Sequence, residues 1–511
     1  MNRYFVFLLF IFLIDISLPA DEIFLKPPES FWIAYTYPVA EQMEVYIQEF
    51  RDGEWGVAIQ VTESLSYNLS PALTLMPDGT LWVAWSSSDK EGTSIHARRY
   101  KDGLWSKEYI VSSDDEFDDT QPSLDISPEG TPFIVWAGSD GHDDEILFST
   151  FRNGTWAKEV QVNFPNTVPD IDPCICTTNE DIFILWSSFN EGRYRLTAVE
   201  KKLNLFTRVK ETDINEILPN EIKNIFSLVF QDGFEFYFFS GKSLYKNSLR
   251  KADLTSAPPL QKVLLDPGFE DKFRKMETLL MQNLILCYLS EERKNITINL
   301  SPLLDDIKKK RAIPDASLVN ILTSKDMELL IKKENKQEPL SSIVAFGDGL
   351  TRGYGSASGG YPTLLSQFLA RIVLNKGETG EMTTTGLQRI KSVLEKERPE
   401  KILILEGMND LNYGRSLKTI AFNLEEMIVQ SLSFGASPYL ATLVDNQLYP
   451  ERTRLMNDEI KKVSKKTGFP LTDLTIFLKG KEMSSYYFDP LYPNDKGYEF
   501  LAYGFYLSLK K

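Results

Sequence analysis

The N-terminal half of the chain repeats itself every 51 residues, and this repeat limits the possible folds more than any other feature. The segment that begins at Pro71 aligns with the one that begins at Pro122, and Pro173 begins a third copy. Two tryptophans keep nearly constant spacing in successive copies: Trp55, Trp105 and Trp156, and Trp85, Trp136 and Trp186. Each copy offers four short strand-like segments, with an Asp-Gly or Asn-Gly turn of the kind that closes tight hairpins. This pattern predicts a β-propeller in which each copy forms one blade.

Fainter copies continue towards both ends, through segments such as 31–38 and 284–300. We therefore predict about six four-stranded blades over residues 21–333. Because the tryptophans recur on apolar strands at fixed register, we expect them to pack between blades. The copies resemble sialidase-like propellers. That resemblance implies an extracellular glycan or protein as ligand, and it implies no activity.

Charge and composition narrow the class of protein. The formal net charge of -16 argues against a nucleic-acid partner, which would require clustered Lys and Arg. The acidic stretch 112–120 is interpreted as a solvated loop, with a calcium site as the alternative. We predict no metal and no cofactor, since the only two histidines, His96 and His142, lie far from the cysteines. Cys174 and Cys176 are expected to be small buried hydrophobes on one strand face.

The first 20 residues predict a secretory signal peptide. An apolar run, Tyr4 to Ile14, follows Arg3, and Leu18-Pro19-Ala20 provides a cleavage site after Ala20. The run is shorter than the roughly 20 residues that a membrane span requires, so an uncleaved anchor is the weaker alternative. The sequence therefore predicts a periplasmic or extracellular protein with no transmembrane span after cleavage.

Beyond a polar linker at 334–340, the pattern changes to strands that alternate with helices over residues 341–511. Such alternation predicts an α/β/α, flavodoxin-like domain with a parallel sheet. In these sheets the site lies at the carboxyl ends of the strands, where "FGDGLT" and "EGMNDL" fall.

Four ordered sequence blocks carry a resemblance to a known family. They are "VAFGDGLTRGYG" with "YPTLL", "NKGETGEMTTTGLQR", "LILEGMNDLNYG" and "FDPLYPNDKGYEFLA". Together they resemble the SGNH or GDSL hydrolases, in particular the lysophospholipase/thioesterase I and arylesterase branch. The resemblance implies a serine after Gly-Asp that attacks an ester or thioester, an oxyanion hole completed by a glycine and an asparagine, and an Asp-x-x-His base.

Position by position, this chain keeps only part of that set. The nucleophile position holds Gly349 and the histidine position holds Tyr492, whereas Asp489 matches the acid. Gly380 and Asn409 match the oxyanion hole, to which the Gly349 N–H would contribute. Residues 341–511 contain no histidine at all. A glycine cannot form an acyl-enzyme, and tyrosine is too weak a base near neutrality.

Three functions stay open from the sequence. In the first, the C-terminal domain has lost hydrolysis but retains a pocket, with Asp348 and Asp410 nearby, for a small acyl, acetyl or carboxylate ligand. In the second, an active esterase uses a rearranged site, such as a water held by Asp348 and Asp489; Ser356 and Ser358 lack a histidine partner. In the third, the propeller alone acts as an adhesin or as a glycan- or protein-binding module.

Overall fold

The structure is a computed structural model that describes residues 21–300 and 343–510, apart from short gaps. The gaps are residues 26–28, 41, 65, 90–91, 114–116, 128, 140–142, 165, 178–180, 191–192, 203–204, 213–221, 230–232, 241–242, 251–255, 266–281, 290–294, 447 and 479–484. The predicted signal peptide, the linker 334–340 and the predicted end of the propeller at residue 333 therefore lie outside the described residues. Within the described part, no helix is long and apolar enough to cross a membrane.

The N-terminal domain consists of five antiparallel sheets arranged like the blades of a propeller. Its strands are β1 Asp21–Leu25, β2 Phe31–Val39, β3 Gln42–Arg51, β4 Glu54–Trp55, β5 Ile59–Gln60, β6 Tyr67–Leu75, β7 Leu81–Ser88, β8 Thr93–Lys101, β9 Leu104–Trp105, β10 Tyr109–Ile110, β11 Asp119–Ile126, β12 Pro132–Ser139, β13 Asp144–Arg152, β14 Thr155–Trp156, β15 Val160–Gln161, β16 Asp170–Thr177, β17 Ile182–Asn190, β18 Arg193–Lys202, β19 Leu205–Thr212, β20 Ile222–Val229, β21 Gly233–Ser240, β22 Ser243–Arg250, β23 Ser256–Leu265, β24 Gln282–Leu289 and β25 Asn295–Asn299. Blade 1 contains β2–β5 with β24 and β25, blade 2 β6–β10, blade 3 β11–β15, blade 4 β16–β19, and blade 5 β20–β23 with β1 added in parallel.

The prediction of about six blades is wrong, because the first and last copies form one blade. Strand β2 pairs antiparallel with β24, and β25 completes the same sheet. The inner strands β25, β6, β11, β16 and β20 contact one another in that order and close the ring. This closure joins strands more than 240 residues apart, so a count of copies along the sequence includes one blade twice.

The predicted register of the repeat is confirmed by the buried tryptophans. Trp85 and Trp136 are buried, and each indole N–H donates to a polar residue at the start of its own blade. Trp85 donates to Asn68 Oδ1 at 3.0 Å and Trp136 to Asp119 Oδ1 at 2.7 Å. Each ring therefore packs in the blade core while its polar atom is satisfied.

The hairpin turns and the cysteines also follow the predictions. Asp52, Asp102 and Asn153 all adopt the left-handed backbone conformation that a two-residue hairpin turn requires, with φ of 53°, 50° and 53°. Cys174 and Cys176 are buried and form no disulfide. The turn residues therefore set the ends of the outer strands, and these two cysteines serve as core side chains.

The C-terminal domain is built on a five-stranded parallel sheet, as predicted. Its strands are β26 Ile343–Gly347, β27 Val373–Gly377, β28 Lys401–Leu405, β29 Ser437–Ala441 and β30 Leu471–Thr472. Their order is β27-β26-β28-β29-β30, which is the flavodoxin-like order. The helices are α1 Gly349–Arg352, α2 Gly360–Leu369, α3 Thr383–Glu397, α4 Met408–Tyr413, α5 Leu417–Ser433, α6 Pro450–Thr467, α7 Thr475–Leu478 and α8 Asp495–Leu509. Strands β26 and β28 are neighbours, so their carboxyl ends bring α1 and α4 together.

Candidate functional site

The loop after β26 passes very close to the end of β28, and its residues are suited to this close approach. Gly347 has φ of 146°, and an added Cβ would lie 1.8 Å from the carbonyl oxygen of Leu405, so only glycine fits there. Asp348 is fully buried. Its carboxylate accepts the N–H of Leu350 at 2.9 Å and the N–H of Met408 at 3.0 Å. Asp348 therefore ties the starts of α1 and α4 together, while burial raises its pKa to about 7.

Tyr492 fills the space beside Gly349. A Cβ added at Gly349 would lie 3.0 Å from Tyr492 Cε1 and 3.1 Å from the phenol oxygen. The Tyr492 ring is buried and packs against Tyr354, with ring centroids 4.7 Å apart. Burial raises the pKa of the Tyr492 hydroxyl well above its ordinary value, so the phenol stays protonated. Gly349 and Tyr492 therefore meet in space.

Both polar atoms of the Asn409 side-chain amide form hydrogen bonds with neighbouring residues. Its oxygen accepts the Tyr492 hydroxyl at 3.3 Å, and its nitrogen donates to the carbonyl of Glu381 at 2.9 Å. Gly380, with φ of 78°, precedes that carbonyl and lets the chain turn towards the site. The structure thus brings Gly349, Asn409 and Tyr492 together. Gly380 is linked to them only through the next residue in the chain, Glu381, whose carbonyl accepts the Asn409 amide.

Asp489 holds the turn that carries Tyr492. One carboxylate oxygen accepts the backbone N–H groups of Leu491 and Tyr492, at 2.7 and 2.8 Å. The residue that matches the family's acid therefore orients backbone in this chain. Ser356 and Ser358 lie elsewhere: both hydroxyls donate to Asp495 at the start of α8.

Asp410 joins α4 to the start of α3. Its carboxylate accepts both the N–H and the hydroxyl of Thr383, at 2.8 and 2.6 Å. Burial raises the pKa of Asp410 to about 6. The position predicted to lie in a pocket is thus fully buried and caps a helix start.

Behind the site lies a buried acidic cluster, which we define as Asp348, Glu381, Glu406 and Asp410. Arg389 forms a two-pronged ion pair with Glu381, with both N–O distances 2.6 Å. Glu406 is 1% exposed, and within the described part of the chain neither of its carboxyl oxygens has a hydrogen-bond partner. Burial, followed by the charge of Glu381, raises the pKa of Glu406 well above its ordinary value. We did not single out Glu381 or Glu406 from the sequence, although Glu406 directly follows a strand of continuous apolar residues.

The propeller packs over the loops of this site. Thr93 donates its hydroxyl to the carbonyl of Gly414, just beyond α4. Asp118 accepts the N–H of Ser416 at 3.1 Å and the hydroxyl of Thr419 at 2.8 Å. Asp118 and its neighbour in sequence, Asp119, are 0% and 5% exposed, so the expectation of a solvated acidic loop is wrong for both. No cluster among the described residues has a metal-binding arrangement.

Two fully buried arginines form the centre of this domain interface. Arg415 forms an ion pair with Asp144 of blade 3, and both side chains are 0% exposed. Burial alone would lower the pKa of Arg415, but Asp144 and Asp118 raise it above its ordinary value. Arg452 donates to Ser88 at 3.1 Å and lies over the ring of Tyr67, 4.9 Å from its centre. A buried ion pair that loses one partner leaves the other charge buried and unpaired, so the Arg415–Asp144 pair depends on this arrangement of the two domains.

Apolar contacts extend the same interface. The propeller residues Met43, Tyr67 and Leu69 belong to the continuous apolar core of the C-terminal domain. Ile171 packs with Met382, which follows Glu381, and Tyr413 covers this pair. The loops that carry the second and third sequence blocks are therefore covered by the propeller.

Comparisons with known proteins identify the C-terminal domain. The model of the GDSL-like Lipase/Acylhydrolase family matches residues 345–500. An arylesterase of Vibrio mimicus is 32% identical over 101 residues, which is 19% of this chain and 50% of that protein. This chain thus spans about half the length of the curated relative that it matches.

Solved structures of low identity align with the same part of the chain. A lipolytic protein of the G-D-S-L family from Desulfitobacterium hafniense shares 20% identity and covers 33% of this chain and 99% of its own, with a TM-score of 0.32. A psychrotrophic esterase from Pseudoalteromonas shares 24% identity and covers 33% of this chain and 97% of its own, with a TM-score of 0.29. The C-terminal domain of this protein matches the GDSL-like Lipase/Acylhydrolase family over residues 345–500, and a five-bladed propeller-like domain precedes it.

Proposed function

We propose that this protein is a secreted, two-domain binding protein whose GDSL-type domain no longer hydrolyses esters. The observation that carries the proposal is the contact of Tyr492 with Gly349. The nucleophile position has no side-chain oxygen, and a Cβ added there would lie 3.0 Å from the Tyr492 ring, which would have to shift to admit a side chain. Loss of one triad member typically lowers kcat by about 10⁴- to 10⁶-fold.

Tyr492 does not replace the missing histidine as a base. A general base works best with a pKa near the working pH, whereas burial raises the pKa of this phenol further from neutrality. The carboxylates of Asp348 and Asp489 already accept backbone N–H groups. These contacts argue against a water held between them as an alternative nucleophile.

A ligand in the former active site would have to displace existing contacts. A small acyl, acetyl or carboxylate group that bound to Asn409 would compete with the Tyr492 hydroxyl. We therefore assign ligand binding to the propeller, and the GDSL-type domain becomes a structural partner that holds it. The proposed secretion rests on the apolar leader and cleavage site in residues 1–20.

The rival function, an active esterase with a rearranged site, draws support from the arylesterase similarity. A double substitution, Gly349→Ser with Tyr492→His, distinguishes the two. We expect the purified wild type to leave p-nitrophenyl butyrate intact, and the double variant to hydrolyse it and to react with an alkyl fluorophosphonate at position 349. Gly349→Ser with Tyr492→Gln is the matched control, because it supplies the hydroxyl and removes the phenol ring without supplying a base.

Folding of each variant is checked by circular dichroism and thermal melting. Hydrolysis by the wild type that disappears in Asn409→Ala would overturn the proposal. A folded but inert double variant would show that the propeller closes the site even when both residues are restored.

A further inference from the structure

Three polar side chains form a hydrogen-bonded chain on blade 2 of the propeller. The Oγ atom of Ser94 lies 3.2 Å from Nε2 of His96, and Nδ1 of His96 lies 2.6 Å from Oε1 of Glu108. We call these three residues the blade 2 triad. Their order is the one that activates a serine nucleophile, in which the imidazole contacts the hydroxyl and the carboxylate holds the imidazole.

The neighbours of His96 fix the orientation of its imidazole ring. Because Glu108 accepts the proton of Nδ1, a neutral ring turns the lone pair of Nε2 towards Ser94. The ring of Trp85 lies beside the imidazole, with centroids 5.8 Å apart. The hydrogen bond from His96 holds the pKa of Glu108 below its ordinary value, although partial burial opposes this. Glu108 therefore stays charged and can stabilise the imidazolium that forms when His96 takes a proton.

The triad is accessible from solvent. The side chains of His96 and Glu108 are 14% and 47% exposed, and Ser94 is half-buried. Thr93, the preceding residue, donates its hydroxyl to the carbonyl of Gly414, so the triad borders the domain interface. A small electrophile can therefore reach Ser94 while the blade stays intact.

The fold of a blade does not require this triad. His96 pairs with Trp85 across β7 and β8. In blade 3 the corresponding tryptophan pairs with Leu147, and the position of Ser94 holds Glu145. Blade 3 nevertheless forms the same antiparallel sheet. The serine and histidine are therefore a feature of blade 2 and are separate from the repeat that builds the propeller.

The backbone around Ser94 limits what the triad can do. Ile95 donates its N–H to Ser112 on the side of β10. Successive N–H groups of a strand point to opposite sides, so the N–H of Ser94 points to β7, where Ser94 pairs with Ser87. In serine hydrolases the N–H of the nucleophile helps to hold the oxyanion, and loss of one such donor lowers kcat by about 10²- to 10³-fold. Rapid turnover is therefore not expected here.

We propose that Ser94 is a nucleophile that accepts an acyl group from an activated ester, with His96 as its base and Glu108 as the positioning residue. The Ser94 Oγ atom bonds to the carbonyl carbon, and the bond from that carbon to the leaving oxygen breaks. The hydroxyl proton passes through His96 Nε2 to the leaving group. Each chain accepts one acyl group, so p-nitrophenyl butyrate in large excess stays intact.

The experiment is labelling of the purified full chain with an alkyl fluorophosphonate, which reports serine nucleophiles by loss of fluoride. Peptide mass spectrometry then maps the modified residues. We expect Ser94 to react at least about 100-fold faster than Ser106, because a general base contributes about 10²- to 10⁴-fold. Ser106 is the internal control in the same blade: its hydroxyl donates to the carbonyl of Lys107 and accepts the N–H of Arg99.

Substitutions separate a reactive triad from a merely structural one. His96→Gln should slow labelling of Ser94 by at least about 100-fold, and Glu108→Gln by at least about ten-fold. Ser94→Ala should remove the label from this peptide, whereas Ser106→Ala should leave the labelling of Ser94 unchanged. Circular dichroism and thermal melting confirm that each variant is folded, so slower labelling reports lost activation of the serine.

Three outcomes would overturn the inference. They are equal labelling of Ser94 and Ser106, unchanged labelling of Ser94 in the folded His96→Gln variant, or steady turnover of p-nitrophenyl butyrate that Ser94→Ala abolishes. The last outcome would indicate a complete hydrolase in the propeller. Turnover that Asn409→Ala abolishes would instead contradict the proposed loss of hydrolysis in the GDSL-type domain, so the two failures are distinguishable.

Discussion

The two ends of the propeller differ in what their charges face. At one end, Asp118 and Asp144 are buried against the GDSL-type domain and are matched by Arg415 and by backbone donors. At the other end, Arg99 and Arg152 line an open groove and have no acidic partner among the described residues. One end is therefore an internal joint between the domains, and the other is an open surface.

The two ends also differ in the sequence motifs that they carry. The sequence blocks that resemble a hydrolase lie at the closed end, where Tyr492 covers Gly349 and the propeller covers the neighbouring loops. The open groove carries no family motif. What distinguishes the two ends is whether their charged side chains are buried and paired, rather than which sequence motifs they carry.

The largest effect is expected from breaking the closed end. Arg415→Ala leaves Asp144 buried without its partner, which typically costs about 3–5 kcal/mol. Urea unfolding of the full chain should show a lower midpoint for this variant. Arg454→Ala is the control, since the ion pairs of Arg454 with Glu451 and Asp458 on α6 are exposed. Equal stability of the Arg415 variant and the control would contradict a structural joint at this end.

A smaller effect is expected from crowding the space beside Gly349. Gly349→Ser alone places a side chain against the Tyr492 ring, and overpacking of this kind costs about 1–3 kcal/mol. Addition of Tyr492→His should remove most of that cost. A double-mutant cycle, measured by thermal unfolding, reports the coupling between the positions. Additive effects would mean that the ring does not occupy the space beside Gly349.

The third effect depends on pH and concerns the acidic cluster behind the site. Burial raises the pKa of Glu406 above its unfolded value, so the folded protein holds a proton that the unfolded chain releases. Stability is therefore lost as pH rises from about 4.5 towards neutrality, by about 1.4 kcal/mol for each pKa unit. Glu406→Gln removes this loss, and its stability advantage over the wild type should grow with pH. Burial raises the pKa values of Asp348 and Asp410 to about 7 and about 6. Both residues are present in the wild type and in Glu406→Gln, so each protein retains part of the pH dependence of its stability.

Unfolding is followed at several pH values for Glu406→Gln, the wild type and an exposed control on α3, Glu395→Gln. The control should follow the wild type. A constant difference between Glu406→Gln and the wild type across this range would show that Glu406 is ionised in the folded state.

Local features of the fold were predictable from the sequence. The turns at Asp52, Asp102 and Asn153 and the buried positions of Trp85 and Trp136 follow from residue type and spacing, which act over a few neighbours. Ring closure was not predictable, because the pairing of β2 with β24 depends on how many blades fit around one axis. The copy count therefore gave about six blades where the structure has five.

The sequence predicts which residues of the candidate site lie together, but it does not predict which buried residues surround them. Gly349, Asn409 and Tyr492 come together as the sequence blocks suggest. By contrast, nothing in the sequence marks Arg415 and Arg452 as buried, because their burial arises only when the two domains meet. The burial of Asp118 could not be predicted from the sequence for the same reason.

Turnover of p-nitrophenyl acetate by the purified full chain tests the central claim most directly. The account predicts that the wild type releases p-nitrophenol no faster than Asn409→Ala at the same protein concentration. Release that rises in proportion to wild-type concentration, and that Asn409→Ala abolishes, would contradict it.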